Sequence, residues 1–409
     1  MRFKHQPEER SVETVCHVIT KLELGGAQEV ALYAVSHLDS SRFRPLLVAG
    51  PGGLLTDEAK TLSGVEVHIL SSLARRVHIF ADLVALVELI ILFRRLRPAI
   101  VHTHSSKAGI LGRWAAWCAR VPVIIHTIHG YGITPAQPLW LRRILVLLER
   151  MTGWITTHWI AVAQADIEKG IEWGIFERTQ VSVVRPGIDP LPFQIAIDRT
   201  TRQAVRAEFG AGPADFLVGT VACLKPQKAP EDFVAVAKQV CEAIPNARFV
   251  LIGDGDLRPT VESLIAEKGL QARLHLAGWR RDIATVMKAF DVFLLTSHWE
   301  GLPRVLLEAR TIGLPVVATR VGGVDEAIVQ GRHGWLSDAG DIAGLSAHLI
   351  RELQSRAVRP QGHSLSMEAL PKEFHLEEMV KQYESLYDRF LGDRRGGKDS
   401  RSVWSASHS

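Results

Sequence analysis

Short apolar runs rich in Val and Ile alternate with longer stretches whose apolar positions recur every three or four residues. The short runs predict buried strands and the longer stretches amphipathic helices, which is the pattern of a parallel sheet covered by helices. In the first half, strands are expected at Val15–Thr20, Pro45–Ala49, Val65–Leu70, Ile100–Thr103, Val123–Thr127 and Trp159–Ala163. Helices are expected over Ala27–Leu38, Ile79–Leu96, Ala108–Arg120 and Leu139–Thr152. The segment Val181–Asp189 (VSVVRPGID) is a further strand running into Pro186-Gly187, a breaker pair suited to a hinge. After it the alternation restarts. Strands are expected at Phe216–Cys223, Arg248–Gly253, Leu274–Leu276, Val292–Thr296 and Val316–Thr319, with helices such as Glu231–Ile244 and Thr260–Lys268. Two doubly wound parallel sheets joined by a hinge is the simplest architecture.

Composition supports that reading. A chain of 409 residues exceeds one ordinary core, and 47% hydrophobic with 22% charged residues excludes disordered, collagen-like and coiled-coil classes. Four scattered cysteines without a CxxC pair argue for a reducing compartment and against a zinc ribbon. The net charge of +4 is short of a nucleic-acid stripe, so no nucleic-acid partner is expected. Its distribution is uneven: residues 1–187 hold 21 Lys/Arg against 16 Asp/Glu, and the remainder holds 27 against 28. No secretory signal is read in the polar start, and the apolar run Leu83–Phe93, broken by Glu88, is too short to span a bilayer. A cytoplasmic protein is expected, peripheral at most to the inner face of the membrane.

Ligands of open α/β sheets bind beyond the carboxyl ends of the strands, so polar residues and glycines falling there are the candidates. Gly25-Gly26 follows the first strand and opens a helix, where the backbone can approach a phosphate. His102 and His104 on one strand face, and His126 with His129 at the next strand end, form a histidine-rich region. These rings suit either a metal site or strand-end capping onto backbone, and the absence of a nearby cysteine or carboxylate favours capping. His129, followed by Gly130 and Gly132, is the one expected to face a ligand. Lys225 and Lys228 in CLKPQKAP sit beside a helix start and suit a diphosphate. Asp254-Gly255-Asp256 resembles a metal-binding DxD but reads better as a turn with N-capping. The strongest segment is SHWEGLPRVLLEA, 297–309. There Glu300 precedes a Gly-x-Pro turn, Gly301 and Leu302 offer N–H groups to an anion, and Glu308 lies on the following helix. Phosphate donors flanked by hydroxyl acceptors are what a sugar nucleotide requires.

Together these residues resemble the retaining GT-B glycosyltransferases of family 4, the bacterial surface-polysaccharide type. The signposts run over roughly Val12 to Leu386: Gly25-Gly26-Ala27, HTHSSKAG, HTIHGYG, RPGID, CLKPQKAP, LIGDGDLR, AGW, the E-x7-E pair Glu300/Glu308, and LPVVAT with VGG. The resemblance implies two Rossmann-like domains facing a central cleft. These are an acceptor domain over 1–187 and a nucleotide-sugar donor domain over 188–372. A C-terminal helix over 373–391 crosses back to the first domain, and a disordered tail covers 392–409. It further implies that Glu300 meets the donor sugar's hydroxyls and Glu308 the ribose. The backbone of Gly301 and Leu302, with Lys228, holds the diphosphate. His129 lies near the reacting carbon, Gly25 and Gly26 approach the phosphates, and Gly278, Trp279 and Arg280 line the base pocket. One departure is Cys223, where the family usually places an arginine; Lys225 is the nearest replacement cation.

The implied activity is retaining transfer of a hexose from a UDP- or GDP-linked sugar to a saccharide or lipid-linked saccharide acceptor. Protein cations would neutralise the leaving diphosphate, so neither a metal nor another cofactor is expected. Arg75-Arg76, Arg94-Arg95, Arg97 and Arg142-Arg143, interleaved with apolar helices, could adsorb to anionic lipid. Equally, those apolar faces could pack on the sheet. Two alternatives stand beside transfer: a sugar-nucleotide epimerase of the same architecture, and a catalytically silent sugar-nucleotide-binding protein.

Overall fold

The computed structural model describes residues 12–134, 136–358 and 369–395. Seven strands form the first sheet: β1 (Glu13–Ile19), β2 (Phe43–Ala49), β3 (Glu66–Ile69), β4 (Ile100–His104), β5 (Val123–Ile128), β6 (His158–Ala161) and β7 (Val181–Val183). Their order is β3-β2-β1-β4-β5-β6-β7, all parallel. The central strands β4 and β5 are buried at every position, as a sheet covered on both faces requires. Six strands form the second: β8 (Phe216–Val221), β9 (Ala247–Ile252), β10 (Leu274–Gly278), β11 (Val292–Leu295), β12 (Val316–Thr319) and β13 (Gly334–Ser337). They run in the order β10-β9-β8-β11-β12-β13, again all parallel. In both sheets the order reverses beside the first strand, and ligands of doubly wound folds bind beyond the strand ends at that reversal. The expected strands are present with ends shifted by one or two residues. β13 was not anticipated, because GWLS is only four residues long and lacks a β-branched run.

One domain comprises residues 12–162, 167–184 and 376–395; the other takes 163–166 and 185–375. The division therefore falls after Val184, so Arg185, Pro186 and Gly187 belong to the second domain. There the Ile188 N–H donates to the Phe374 carbonyl at 2.9 Å, which sets the outgoing and returning segments side by side. The helix Leu376–Arg395 packs on the first sheet through Leu376, Met379, Val380, Tyr383 and Tyr387, a stripe at helical spacing joined by Phe390. It extends four residues into the expected tail; the rest of that tail, 396–409, lies outside the described residues.

Close packing of helix on sheet is set by glycine at two positions. In helix Ser106–Cys118, a Cβ on Gly109 would stand 2.5 Å from the His126 ring, and one on Gly112 would stand 2.8 Å from Thr103. The helix thus lies directly over the ends of β4 and β5, where the histidines are. On the second sheet, Gly219 of β8 is covered by Phe290, whose ring a Cβ would meet at 2.1 Å.

Candidate active site

In the second domain the polar residues gather at the ends of β8 and β11. The chain leaves β8 through Cys223 and Leu224, makes a short turn over Pro226–Lys228 and enters helix Pro230–Ala243. Ala229, between turn and helix, has a left-handed backbone (φ 43°), an unfavourable conformation for a residue with a Cβ. Its neighbourhood enforces it: Thr296 Oγ1 donates to the carbonyls of Lys228 (3.1 Å) and Ala229 (3.0 Å), while the His298 N–H donates to the Gln227 carbonyl (2.8 Å). Lys228 is thereby aimed at Glu300, and its Nζ lies 2.5 Å from Oε1.

Glu300 is buried and collects two further donors: Ser297 Oγ to Oε1 at 2.6 Å, and Gln227 Nε2 to Oε2 at 3.3 Å. Its backbone is pinned as well. The Gly323 N–H donates to the Gly301 carbonyl at 2.6 Å, and Gly322 sits so close that a Cβ would be 2.1 Å from the Glu300 carbonyl. Gly301 and Leu302 are buried just ahead of helix Arg304–Ile312, which carries a half-buried Glu308. Lys228 and Glu300, read from sequence as phosphate and sugar contacts, are therefore one ion pair. Ser297 and Gln227, which orient that pair, were not singled out. The only sequence signal was their position within the two motifs, since a polar side chain in a loop carries no periodicity.

The remaining candidates of this domain lie nearby in the topology. Lys225 is half-buried at the start of the turn. Gly278 (φ 69°) closes β10, and its carbonyl accepts from the Gly253 N–H at 2.8 Å; Trp279 beyond it is exposed. Arg280 forks onto Asp282 (2.8 and 2.7 Å) and also pairs with Glu208, which holds it protonated. Asp254 accepts from the Gly255 N–H (2.7 Å) and from Arg258 (3.1 Å). Both its oxygens are engaged within the turn, which fits the turn reading and not the DxD, although no side chain caps the helix Arg258–Glu267 that follows.

In the first domain, Gly25 is extended (φ 179°) and precedes helix Gly26–His37, whose first turn no side chain caps. The rest of the switch point is filled by imidazoles. His17 on β1 pairs in register with His102 on β4. His17, His102 and His104 are fully buried, while His129 at the end of β5 is half-buried. Ring nitrogens of His104 lie 3.0 Å from His17 Nδ1 and 3.0 Å from His129 Nε2. Tyr387 Oη lies 3.1 Å from His17 Nε2 and 2.6 Å from His102 Nδ1, and His102 Nε2 lies 2.6 Å from Thr127 Oγ1. The expectation that the rings cap backbone is corrected: their partners are one another, Thr127 and Tyr387, and for His126 the Thr103 hydroxyl at 2.8 Å. Burial pulls the pKa of His17 down to about 3 and that of His129 to about 4, and pulls His102 and His104 well below the usual range. The cluster is thus uncharged at neutral pH. His17 and Tyr387 were missed from sequence. A histidine inside the apolar run ETVCHVI was the available signal for one; nothing local marked the other.

A switch point lined by cations and a carboxylate in one Rossmann-like domain, and a second such domain before it, define a GT-B glycosyltransferase architecture. Residues 25–187 match the "glycosyl transferase 4-like domain" and residues 201–366 the "glycosyl transferases group 1" family. The chain is 33% identical over 340 residues to an Escherichia coli UDP-Gal:alpha-D-GlcNAc-diphosphoundecaprenol alpha-1,3-galactosyltransferase, covering 82% of this chain and 87% of that protein. The Staphylococcus aureus capsular polysaccharide biosynthesis glycosyltransferase CapM is 22% identical over 83% of this chain and 89% of its own. Among solved structures, Anabaena HepE with UDP and glucose superposes with a TM-score of 0.77 at 20% identity, over 92% of this chain and 100% of that one. The chain belongs to the family 4 GT-B glycosyltransferases. It is therefore an enzyme, of the hexosyltransferase class.

Proposed function

We propose that the chain transfers a hexose, with retention, from a UDP-linked sugar to a saccharide carried on a lipid diphosphate, in surface-polysaccharide synthesis. The observation that carries the reading is the Lys228–Glu300 pair, its carboxylate buried and held by Ser297 and Gln227. Glu300, fixed by three donors, accepts hydrogen bonds from sugar hydroxyls, and Glu308 accepts from the ribose. Lys228, Lys225 and the N–H groups of Gly301 and Leu302 meet the diphosphate. As the anomeric C–O bond breaks, its electron pair leaves on the diphosphate, and those cations stabilise the departing charge. The acceptor hydroxyl forms its bond on the same face and releases its proton to the departing phosphate oxygen. The scheme needs no metal, so transfer persists in EDTA; restoration by Mg²⁺ of activity lost in EDTA would sink that part. Gal on the donor and GlcNAc-diphosphoundecaprenol on the acceptor are the first pair to assay, from the Escherichia coli relative. Incubation with a sugar-nucleotide panel, with and without lipid extract, separates the alternatives. Nucleotide release dependent on lipid supports transfer, sugar isomerisation points to an epimerase, and binding without either points to a silent protein.

The lipid-borne acceptor is supported by a surface of the first domain. Helix Ile79–Leu96 buries Ala85, Leu89 and Phe93, yet leaves Ile79, Phe80, Leu83, Val84, Val87 and Ile91 exposed. A helix apolar on both faces needs a second apolar neighbour besides the sheet. Helix Leu139–Gly153 likewise exposes Leu139, Trp140, Ile144 and Leu147, and both helices pack alongside Ser106–Cys118. Arg75 and Arg76 precede the first helix, Arg94 and Arg95 lie in its last turn, and Arg142 and Arg143 lie on the second. Among the described residues no helix is long and apolar enough to cross a membrane. Apolar insertion with basic flanks is the arrangement for lying on anionic lipid at the inner face of the cell membrane. Trp140→Asp with Phe80→Asp should abolish flotation with anionic vesicles; flotation equal to wild type would remove this surface from the scheme.

A further inference from the structure

The histidine cluster of the first domain does more than fill a core. Its hydrogen bonds form one unbranched path: Thr127 Oγ1, His102, Tyr387 Oη, His17, His104, His129. All six ring nitrogens of His17, His102 and His104 lie within hydrogen-bond distance of a partner on that path. A neutral imidazole has one N–H and one lone pair, and a hydroxyl has one proton to give. Along such a path the donors must all point the same way. A mixed setting either sets two lone pairs or two N–H groups against each other or, where Tyr387 accepts from both His102 and His17, leaves its buried O–H with no acceptor on the path.

Only two settings therefore satisfy every bond and also use the Tyr387 proton. In one, His104 donates to His129 Nε2, so the proton of His129 sits on Nδ1. In the other, His129 donates from Nε2 and its Nδ1 is an acceptor. The two ends of the path differ chemically. One is the hydroxyl of Thr127, beside the Tyr383 phenol, and the other is a half-buried ring at a strand end. The two settings consequently differ in energy. Both settings need neutral rings, and burial keeps all four of them neutral at neutral pH.

We propose that Tyr387 of the C-terminal helix, acting through His17 and His104, locks His129 in a single tautomer and so fixes whether its second nitrogen offers a donor or an acceptor. Tyr387, His17 and His104 are positioning residues; they act through His129. The consequence for transfer rests on the reading above that His129 faces the donor sugar, whereas the path itself does not. The same three histidines bring nitrogens within 4.8 Å of one another, a spacing open to a metal ion. Every one of those nitrogens is already engaged with a hydrogen-bond partner, which is why the cluster is assigned as a relay.

The test is the ¹⁵N chemical shifts of the His129 ring in histidine-labelled full-length protein, with transfer kinetics alongside. Wild type should show the widely separated nitrogen shifts of one tautomer. Tyr387→Phe keeps the ring and removes only the hydroxyl. It should move the two shifts toward each other and lower kcat by about tenfold, with little change in donor KM. His17→Asn cuts the path elsewhere and should reproduce the change, guarding against a folding defect peculiar to Tyr387→Phe. Unchanged shifts in both variants, or averaged shifts already in wild type, overturn the relay. A Co²⁺ titration giving visible ligand-field absorption that His17→Asn abolishes also overturns it. Undiminished transfer in His129→Ala would remove His129 from the reaction while the shift changes continued to support the relay.

Discussion

The two domains share one strand order and differ in what stands at its reversal. Between β8 and β11 the strand ends carry charge: Lys228 on Glu300, and close by in sequence Lys225 and Glu308. Between β1 and β4 they carry neutral rings and hydroxyls: His17, His102, His104, Thr20 and Ser105. Charge also follows these strands, but it is paired within the domain: Lys21 with Glu23 (3.1 Å) just after β1, and Lys107 with Asp82 just after β4. Arg113 is fully buried on Glu149 (2.7 Å) and lies over Trp159, with no candidate site residue in the set. The comparison teaches that the topology supplies a place and not a chemistry. A diphosphate needs fixed cations, whereas a sugar hydroxyl needs a donor or acceptor of fixed sense, and a neutral cluster supplies that without attracting phosphate.

The strongest test of this contrast is to delete the charges. Lys228→Ala and Glu300→Ala should each lower kcat/KM by about 10²–10³, the cost of removing one preorganised electrostatic contact. Because the two groups form one pair, the double variant should lose much less than the product of the single losses. Full additivity in that cycle would show the pair to be functionally separate.

Acid should separate the domains next. His17, His102, His104, His126 and His129 have folded-state pKa values below the ordinary 6.5, through burial. Below pH 6.5 the unfolded chain therefore binds protons that the folded chain excludes, and stability falls with pH. It continues to fall until the folded values are reached, about 4 for His129 and about 3 for His17. Hydrogen exchange in the full chain, corrected for intrinsic rate, should show protection in β1, β4 and β5 declining between pH 6.5 and 4. That decline should exceed the one in β8, β9 and β11. Equal loss in both sheets would break the comparison.

The smallest effect concerns Cys223, the position where the family resemblance led us to expect an arginine. Restoring the guanidinium in Cys223→Arg should lower the donor KM by up to about tenfold, with kcat little changed. A rise in KM would show that Lys225 already occupies the phosphate position.

Much of this was legible in the sequence because strand and helix periods are local. β4, β5 and β12 were read from their apolar runs to within a residue, and helix Ile79–Leu96 to its observed ends. Glu300, Gly301 and Lys228 were singled out as candidates because motifs at strand ends concentrate polar residues within a few positions. Their partnership was not found: Lys228 and Glu300 are 72 positions apart, and only the pairing of β8 with β11 brings them together.

Sequence by itself determined two parallel α/β domains and the family, and it singled out Lys228 and Glu300 as candidates, since each depends on patterns a few residues long. Tertiary structure decided three matters that do not. It put the division after Val184, it left the apolar helix Ile79–Leu96 exposed on one side, and it carried Tyr387 to His17, 370 positions away. The physical reason is common to all three. A side chain's partner is set by which elements pack together, and packing is a property of the whole chain that no short window contains.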